Sequence, residues 1–333
     1  MASAFNVYGY RFTLDGDAPE PLAALASDFE FFAEPSPPNA ALSAKISIRH
    51  SAPNYAALPP LRASVYTPRN ISYKDGATTL VDYHGRGLGQ HHRGTGDFAI
   101  TTLDPDLQYE ACYLFLLSQL GEALDRRGLH RVHALGISLR GRAVLVLLPM
   151  GGGKSTLGAE LLADPEVRLL SDDSPLIDRE GNIHSFPTRI GLLPGADTQI
   201  PPEFRRTINR MNFGPKTLVD YRYFAPRVDA GAKPAFVCLG SRTLAEKGSL
   251  VRASRTATLR RFTSDCVVGM GLFQGLEFFF QKSTREILGR APVVWSRLRA
   301  SCAVIRRSQL LELQLGRDRS GNARLLLDYI RSH

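Results

Sequence analysis

No run of about 18 apolar residues occurs anywhere in the 333-residue chain, which excludes a membrane-spanning helix of ordinary length. The opening MASAFNVYGYRFTLDGD has no basic stretch followed by an apolar block. No secretory signal is therefore expected, and the expected location is cytoplasmic. Cysteine is scarce. Cys112, Cys238, Cys266 and Cys302 are scattered, no pair has metal-ligand spacing, and four in this length do not make a disulfide scaffold. They read as buried, reduced thiols. Internal repeats and long low-complexity tracts are missing. So are a Ser–His–Asp or Cys–His nucleophile arrangement, a DNA-recognition helix and an RNA-binding signature, so no specific nucleic-acid partner is expected.

What is present is an ordinary globular composition, 44% hydrophobic and 22% charged, which supports a folded core. The length suggests two domains, or one large one with an elaborate flank. The net charge of +9 is concentrated in one place: residues 201–261 hold 13 basic residues against four acidic ones, and the rest of the chain balances. Such a stretch, with Arg205 and Arg206 near its start, can dock an anionic acceptor or line a phosphate site, or it can be a solvated surface.

Residues 4–15 carry the aromatic and β-branched residues of a strand. Prolines 35, 37, 38, 53, 59 and 60 surround one strand-like run, KISIRH, and further strands are expected at 63–66, 78–83 and 97–102. The segment from His84 through His91 and His92 reads as a mobile hairpin loop. Its glycines lack the following helix of a dinucleotide fingerprint, and its histidines lack a carboxylate or cysteine partner. Leu107, Cys112, Leu114, Leu117, Leu120 and Leu124 recur at helical spacing, with Asp104 or Asp106 as cap and Gly128 as stop. The predicted division is a β-rich N-terminal lobe closed by a helix, 1–128, and a second domain, 129–333.

The second domain opens with two apolar strands, RVHALGISL and AVLVLL, then a glycine loop, a helix from Ser155, a strand VRLLS and a hairpin through Arg179-Glu180-Gly181-Asn182. This is the α/β pattern of a nucleotide-binding core. A later strand (PAFVCLG), an aromatic helical stretch at 272–280, a strand LLELQL and a helix NARLLLDYI complete it. The loop reads Leu148-Pro149-Met150-Gly151-Gly152-Gly153-Lys154-Ser155-Thr156. Its glycines let backbone N–H groups turn inward around a phosphate, and the following helix turns its free N–H groups to the anion. Lys154 can reach β- and γ-phosphates, and the Ser155 hydroxyl can ligate Mg²⁺. The pattern G-x-x-x-x-G-K-[ST] asks for glycine where Leu148 stands. The next strand ends in Asp172-Asp173. Alone this pair reads as a turn, but after a phosphate loop it supplies a metal ligand and a general base.

The run HRVHALGISLRGRAVLVLLPMGGGKSTLGAELL followed by VRLLSDDSPLID resembles the catalytic core of HPr kinase/phosphorylase and its wider kinase relatives. The resemblance covers 130–190. It implies an α/β P-loop core akin to phosphoenolpyruvate carboxykinase and an ATP- and Mg²⁺-dependent transfer to a hydroxyl. By resemblance the acceptor is a serine of a peptide or small protein, such as a ribosomal precursor peptide or a carrier protein. Gly151, Gly152, Gly153, Lys154, Ser155 and Thr156 match the ATP-binding loop, with Ser155 and Asp173 as metal ligands. Asp172, Asp173, Lys154 and His133 match the catalytic set, the roles of the two aspartates being undivided. The glutamate that helps bind metal in bifunctional members has no counterpart in Phe186-Pro187-Thr188-Arg189-Ile190-Gly191, which counts against the reverse reaction. Arg189 and Lys216 remain as phosphate contacts or surface cations. A kinase of a small-molecule alcohol, or a nucleotide-binding regulator without phosphotransfer, are the other readings. A homo-oligomer is compatible with all of them.

Overall fold

The computed structural model describes residues 4–35, 42–192, 200–211, 214–268 and 291–333. It is a mixed α/β structure that separates into two compact units. Residues 4–123 and 205–218 form the first, and 124–204, 219–268 and 291–333 form the second. The aromatic stretch 272–280 lies outside the described residues.

In the first unit, β1 (Ala4–Val7) and β2 (Tyr10–Gly16) are two strands where the sequence suggested one. Tyr8 and Gly9 both take positive φ, 49° and 90°, so the chain reverses in a two-residue turn and pairs Val7 with Tyr10. Helix α1 (Pro19–Asp28), β3 (Ala33–Glu34), β4 (Ala44–Arg49), β5 (Ala63–Tyr66), β6 (Ile71–Asp75), β7 (Thr78–Asp82), β8 (Leu88–His92), β9 (Phe98–Thr101) and α2 (Pro105–Arg126) follow. The nine strands make one sheet in the order β3-β1-β2-β4-β9-β8-β7-β6-β5, with β2–β4 and β4–β9 parallel. The histidine-rich segment is thus corrected. Its second half is strand β8, flanked by β7 and β9, and His91 is buried against Phe115. Asp104 caps α2 by accepting the Leu107 N–H at 3.1 Å. Aromatic rings join helix to sheet: Phe98 stacks on Phe115 with centroids 4.2 Å apart, and Phe29 meets Phe12 edge-on at 5.3 Å.

The second unit contains β10 (His130–Arg131), β11 (Leu135–Leu139), β12 (Arg142–Leu147), α3 (Lys154–Leu161), β13 (Val167–Ser171), β14 (Leu176–Ile177), β15 (Ile183–His184) and β16 (Ile190–Leu192). The pair β17 (Arg205–Arg210) and β18 (Gly214–Val219) then falls almost wholly in the first unit. The chain continues through α4 (Tyr221–Phe224), β19 (Gly231–Arg242), β20 (Ser249–Arg252), α5 (Arg255–Phe262), a π-helical turn (Thr263–Val268), α6 (Ala291–Arg307), β21 (Gln309–Leu315) and α7 (Arg319–Ser332). Seven strands run in the order β10-β14-β15-β19-β12-β11-β13, β21 adds to β19, and β20 adds to β21. Strands β12, β19 and β21 are mutually parallel, and their carboxyl ends lie together. Buried residues of α5, the π turn and α6 (Phe262, Cys266, Ala300, Val304) pack on Val132, Leu145, Leu147 and Val237 from the strand side.

Candidate functional site

The glycine loop springs from the carboxyl end of β12, in the crevice where ligands of parallel sheets bind. Leu147 and Leu148 are fully buried, so the strand is anchored in the core up to the loop's first residue. Gly152 N–H donates to the Pro149 carbonyl at 2.9 Å and turns the chain. A Cβ at 152 would stand 2.8 Å from that same carbonyl oxygen, so the turn demands glycine there. Gly153 takes φ 96° and caps α3, which starts at Lys154, one residue earlier than the sequence suggested. Thr156 lies in the first turn of α3.

Leu148, the departure from the glycine pattern, is accommodated by a glycine elsewhere. On the parallel neighbour β19, Leu147 pairs with Leu239, and the next residue is Gly240. A Cβ on Gly240 would come within 2.5 Å of Leu148 Cγ and Cδ2. The bulk missing at 240 is the room that Leu148 fills, and the loop keeps its course.

The sequence-predicted residues converge. Lys154 Nζ lies 2.7 Å from His133 Nε2, 3.3 Å from the Leu148 carbonyl oxygen and 3.5 Å from Asp173 Oδ1. An ammonium can only donate, so in this contact His133 Nε2 is the acceptor. His133 Nε2 is also 3.3 Å from Asp173 Oδ1. Lys154 and His133 are buried, at 8% and 4% exposure, while the Asp173 side chain is 57% exposed.

Ser155 turns the other way and donates its hydroxyl to Asp172 Oδ2 at 2.7 Å. Asp172 also accepts a long bond, 3.4 Å, from the Gly191 N–H. The sequence reading paired Ser155 with Asp173 as metal ligands; the geometry pairs Ser155 with Asp172, and Asp173 with His133 and Lys154. Two hard oxygens beside the glycine loop suit Mg²⁺, which takes one or two carboxylates and completes its shell with phosphate and water. Among the described residues no group of three or more His, Cys, Asp and Glu is arranged to hold a metal. The segment 186–191 returns beside the aspartates: Phe186 N–H donates to the Leu170 carbonyl at 2.9 Å, and Ser171 Oγ to the Phe186 carbonyl at 2.9 Å. Arg189, on that segment, is half-buried.

Behind the site lies a layer that sequence reading missed. The His133 N–H donates to the Asp265 carbonyl, 3.0 Å away in the π turn. Arg297 holds that turn through the carbonyls of Cys266 and Val267, at 3.2 and 3.0 Å, and pairs with Asp125 at 2.6 Å. His130 joins with Nδ1 2.8 Å from Asp125 and Nε2 2.9 Å from Ser296 Oγ. Burial pushes the Asp125 carboxyl up, but the hydrogen bonds from His130 and Arg297 outweigh it and hold it below the usual aspartate range. Cys238 and Cys266 are buried and their thiols are pushed up to about 12, so neither is a nucleophile at neutral pH.

The basic stretch is not one face. Residues 205–218 belong to the first unit and 219–261 to the second. Arg206 is engaged within the first unit, at 2.8 Å from buried Asp28 and 2.6 Å from the Tyr109 hydroxyl, which itself donates to Asp28. Arg222 pairs with Asp220 at 3.0 Å, Arg261 with Asp265 at 2.6 Å, and Arg227 donates to the Leu162 carbonyl. Lys216 lies in the first unit and the glycine loop in the second. The chain matches no known family model and no curated protein sequence.

Proposed function

We propose that this chain is an ATP-dependent kinase of the HPr kinase type, with a P-loop core, transferring the γ-phosphate to a hydroxyl, by resemblance a serine of a peptide or small protein. One observation carries the reading: a glycine loop capping α3 stands beside two carboxylates, with Lys154, Ser155 and His133 between them. The loop and the first turn of α3 offer backbone N–H donors to phosphate oxygens, and Lys154 swings from the Leu148 carbonyl to the same oxygens. Ser155 and Asp172 would hold Mg²⁺, which when bound neutralises charge on the phosphate oxygens. Asp173 is the more exposed carboxylate and takes the proton of the acceptor hydroxyl as that oxygen bonds to the γ-phosphorus and the bond to ADP breaks. Lys154 holds Asp173 in place until the nucleotide arrives and draws the ammonium to its phosphates. A P-loop kinase of this kind works on ATP and a diffusing acceptor, with no need of a membrane.

The test is calorimetric titration with MgATP together with slow ATP hydrolysis, in which water substitutes for the acceptor. The wild type should bind and hydrolyse, and Lys154→Ala should lose most of both. Asp173→Asn should keep binding but lose turnover by about 10²–10⁴-fold, the usual share of a general base. Wild-type protein that binds no MgATP refutes the reading. Binding without transfer to water or to any serine peptide selects the regulator instead.

A further inference from the structure

Resting on that reading, we propose that Arg242 is a second phosphate-binding cation of the site, contributed by β19 and outside the loop motif. Three observations converge on it. Arg242 is the last residue of β19, the parallel neighbour of β12, so it leaves the sheet at the same edge as the glycine loop. A Cβ at Gly153 would stand 3.3 Å from Arg242 Nη1, which places the guanidinium directly over the cap of α3. The third is electrostatic. The amino end of a helix carries partial positive charge and disfavours a cation. Lys154 adds a full charge one residue on, yet Arg242 is exposed and, among the described residues, no carboxylate pairs with it.

Two cations and a helix N-terminus, with one exposed carboxylate beside Lys154, form a cluster that an anion relieves. The glycine at 153 leaves open the face that the guanidinium covers. A planar guanidinium there can bridge two oxygens of a polyphosphate with donors held in a fixed fork, which the compact ammonium of Lys154 does not offer. The ligand class is therefore a polyphosphate chain, with the nucleoside secondary to this contact.

The test titrates MgATP and, separately, inorganic pyrophosphate into the wild type, Arg242→Gln, Arg242→Lys and Lys154→Ala, with thermal unfolding as a folding control. Loss of a charged hydrogen-bond donor predicts that Arg242→Gln weakens both ligands by about tenfold or more. Arg242→Lys should recover part of the loss, and the salt dependence of pyrophosphate binding should flatten in Arg242→Gln. If Arg242→Gln binds both ligands as the wild type does while Lys154→Ala does not, Arg242 has no such role and the nucleotide site stands. If Arg242→Gln weakens MgATP but leaves pyrophosphate untouched, Arg242 serves the nucleoside and the inference is overturned. Wild type that binds neither ligand removes the site and the inference together.

Discussion

Replacing Gly240 by alanine isolates the contact that lets a leucine stand at the head of the glycine loop. Gly240 does not have positive φ, so alanine is conformationally allowed there. On entropy alone Gly→Ala at such a position stabilises by about 0.4–1 kcal/mol. The new Cβ, however, would sit 2.5 Å from Leu148 Cγ and Cδ2 and 3.2 Å from the Leu147 carbonyl oxygen. Carbon atoms pack best at about 3.5–4.0 Å, so one side must move by about 1 Å. Leu148 is fully buried and cannot swing aside. Overpacking of this kind costs about 1–3 kcal/mol, which outweighs the entropic gain and leaves Gly240→Ala destabilised by about 0.5–2 kcal/mol. Leu148→Ala alone should cost about 2–5 kcal/mol as a cavity. In that background the added Cβ enters empty space, and Gly240→Ala should become stabilising. Native-state hydrogen exchange of peptides from β12 and β19 reads these changes within the second unit. The sign reversal is the diagnostic. If Gly240→Ala shifts stability equally in both backgrounds, within about 0.5 kcal/mol, the two residues are not coupled and the compensation argument fails.

Two further outcomes follow from the buried ion pairs. Asp125→Asn should lower stability by about 3–5 kcal/mol at neutral pH, because it leaves Arg297 buried without its carboxylate. The folded-state pKa of Asp125 is depressed, so its contribution is fully present above the unfolded value of about 3.9 and is lost as pH falls through the lower folded value. Thermal unfolding of the wild type and Asp125→Asn should therefore converge only below about pH 4, and a constant gap down to pH 2 would falsify the linkage. Arg206→Glu should destabilise the first unit by about 3–5 kcal/mol by stranding Asp28, while Arg252→Glu on the exposed strand β20 should change stability by less than about 0.5 kcal/mol. Urea melts that rank these two charge reversals equally would make Arg206 an ordinary surface cation.

What the sequence made legible was local. The apolar period of α2, the order strand–glycine loop–helix–strand and the position of the aspartate pair are each carried by neighbours in the chain. What stayed hidden depends on pairing at a distance. Strand β8 looks like a loop because Gly89, Gln90, His91 and His92 have no strand signature, and only its place between β7 and β9 makes it one. The hairpin at Tyr8-Gly9 lacks the asparagine or aspartate that usually announces such a turn. Arg206 joins Asp28 across 178 residues, so a charge count in the 201–261 stretch had no means of separating it from cations in solvent. Gly240 looked like the end of one more apolar strand and Arg242 like one of thirteen basic residues, and both acquire meaning only because β19 lies parallel to β12.

The aspartate pair shows most clearly where the boundary falls. That two adjacent carboxylates past a strand end can point differently is legible in the sequence: β13 ends at Ser171, and Asp172 and Asp173 lie in the bend beyond it. Which one does which does not follow, because it depends on what each side chain meets. In the fold Asp172 is buried against Ser155, while Asp173 lies beside Lys154 and His133 and its side chain is more than half exposed. A metal is best held by the carboxylate whose position is fixed by a hydroxyl and a backbone N–H, since a divalent ion tolerates little drift in its ligands. A base must reach an incoming hydroxyl, which requires the exposed member. On the proposed reading the bend after β13 would divide the two tasks, with Asp172 beside Ser155 where the resemblance had placed Asp173.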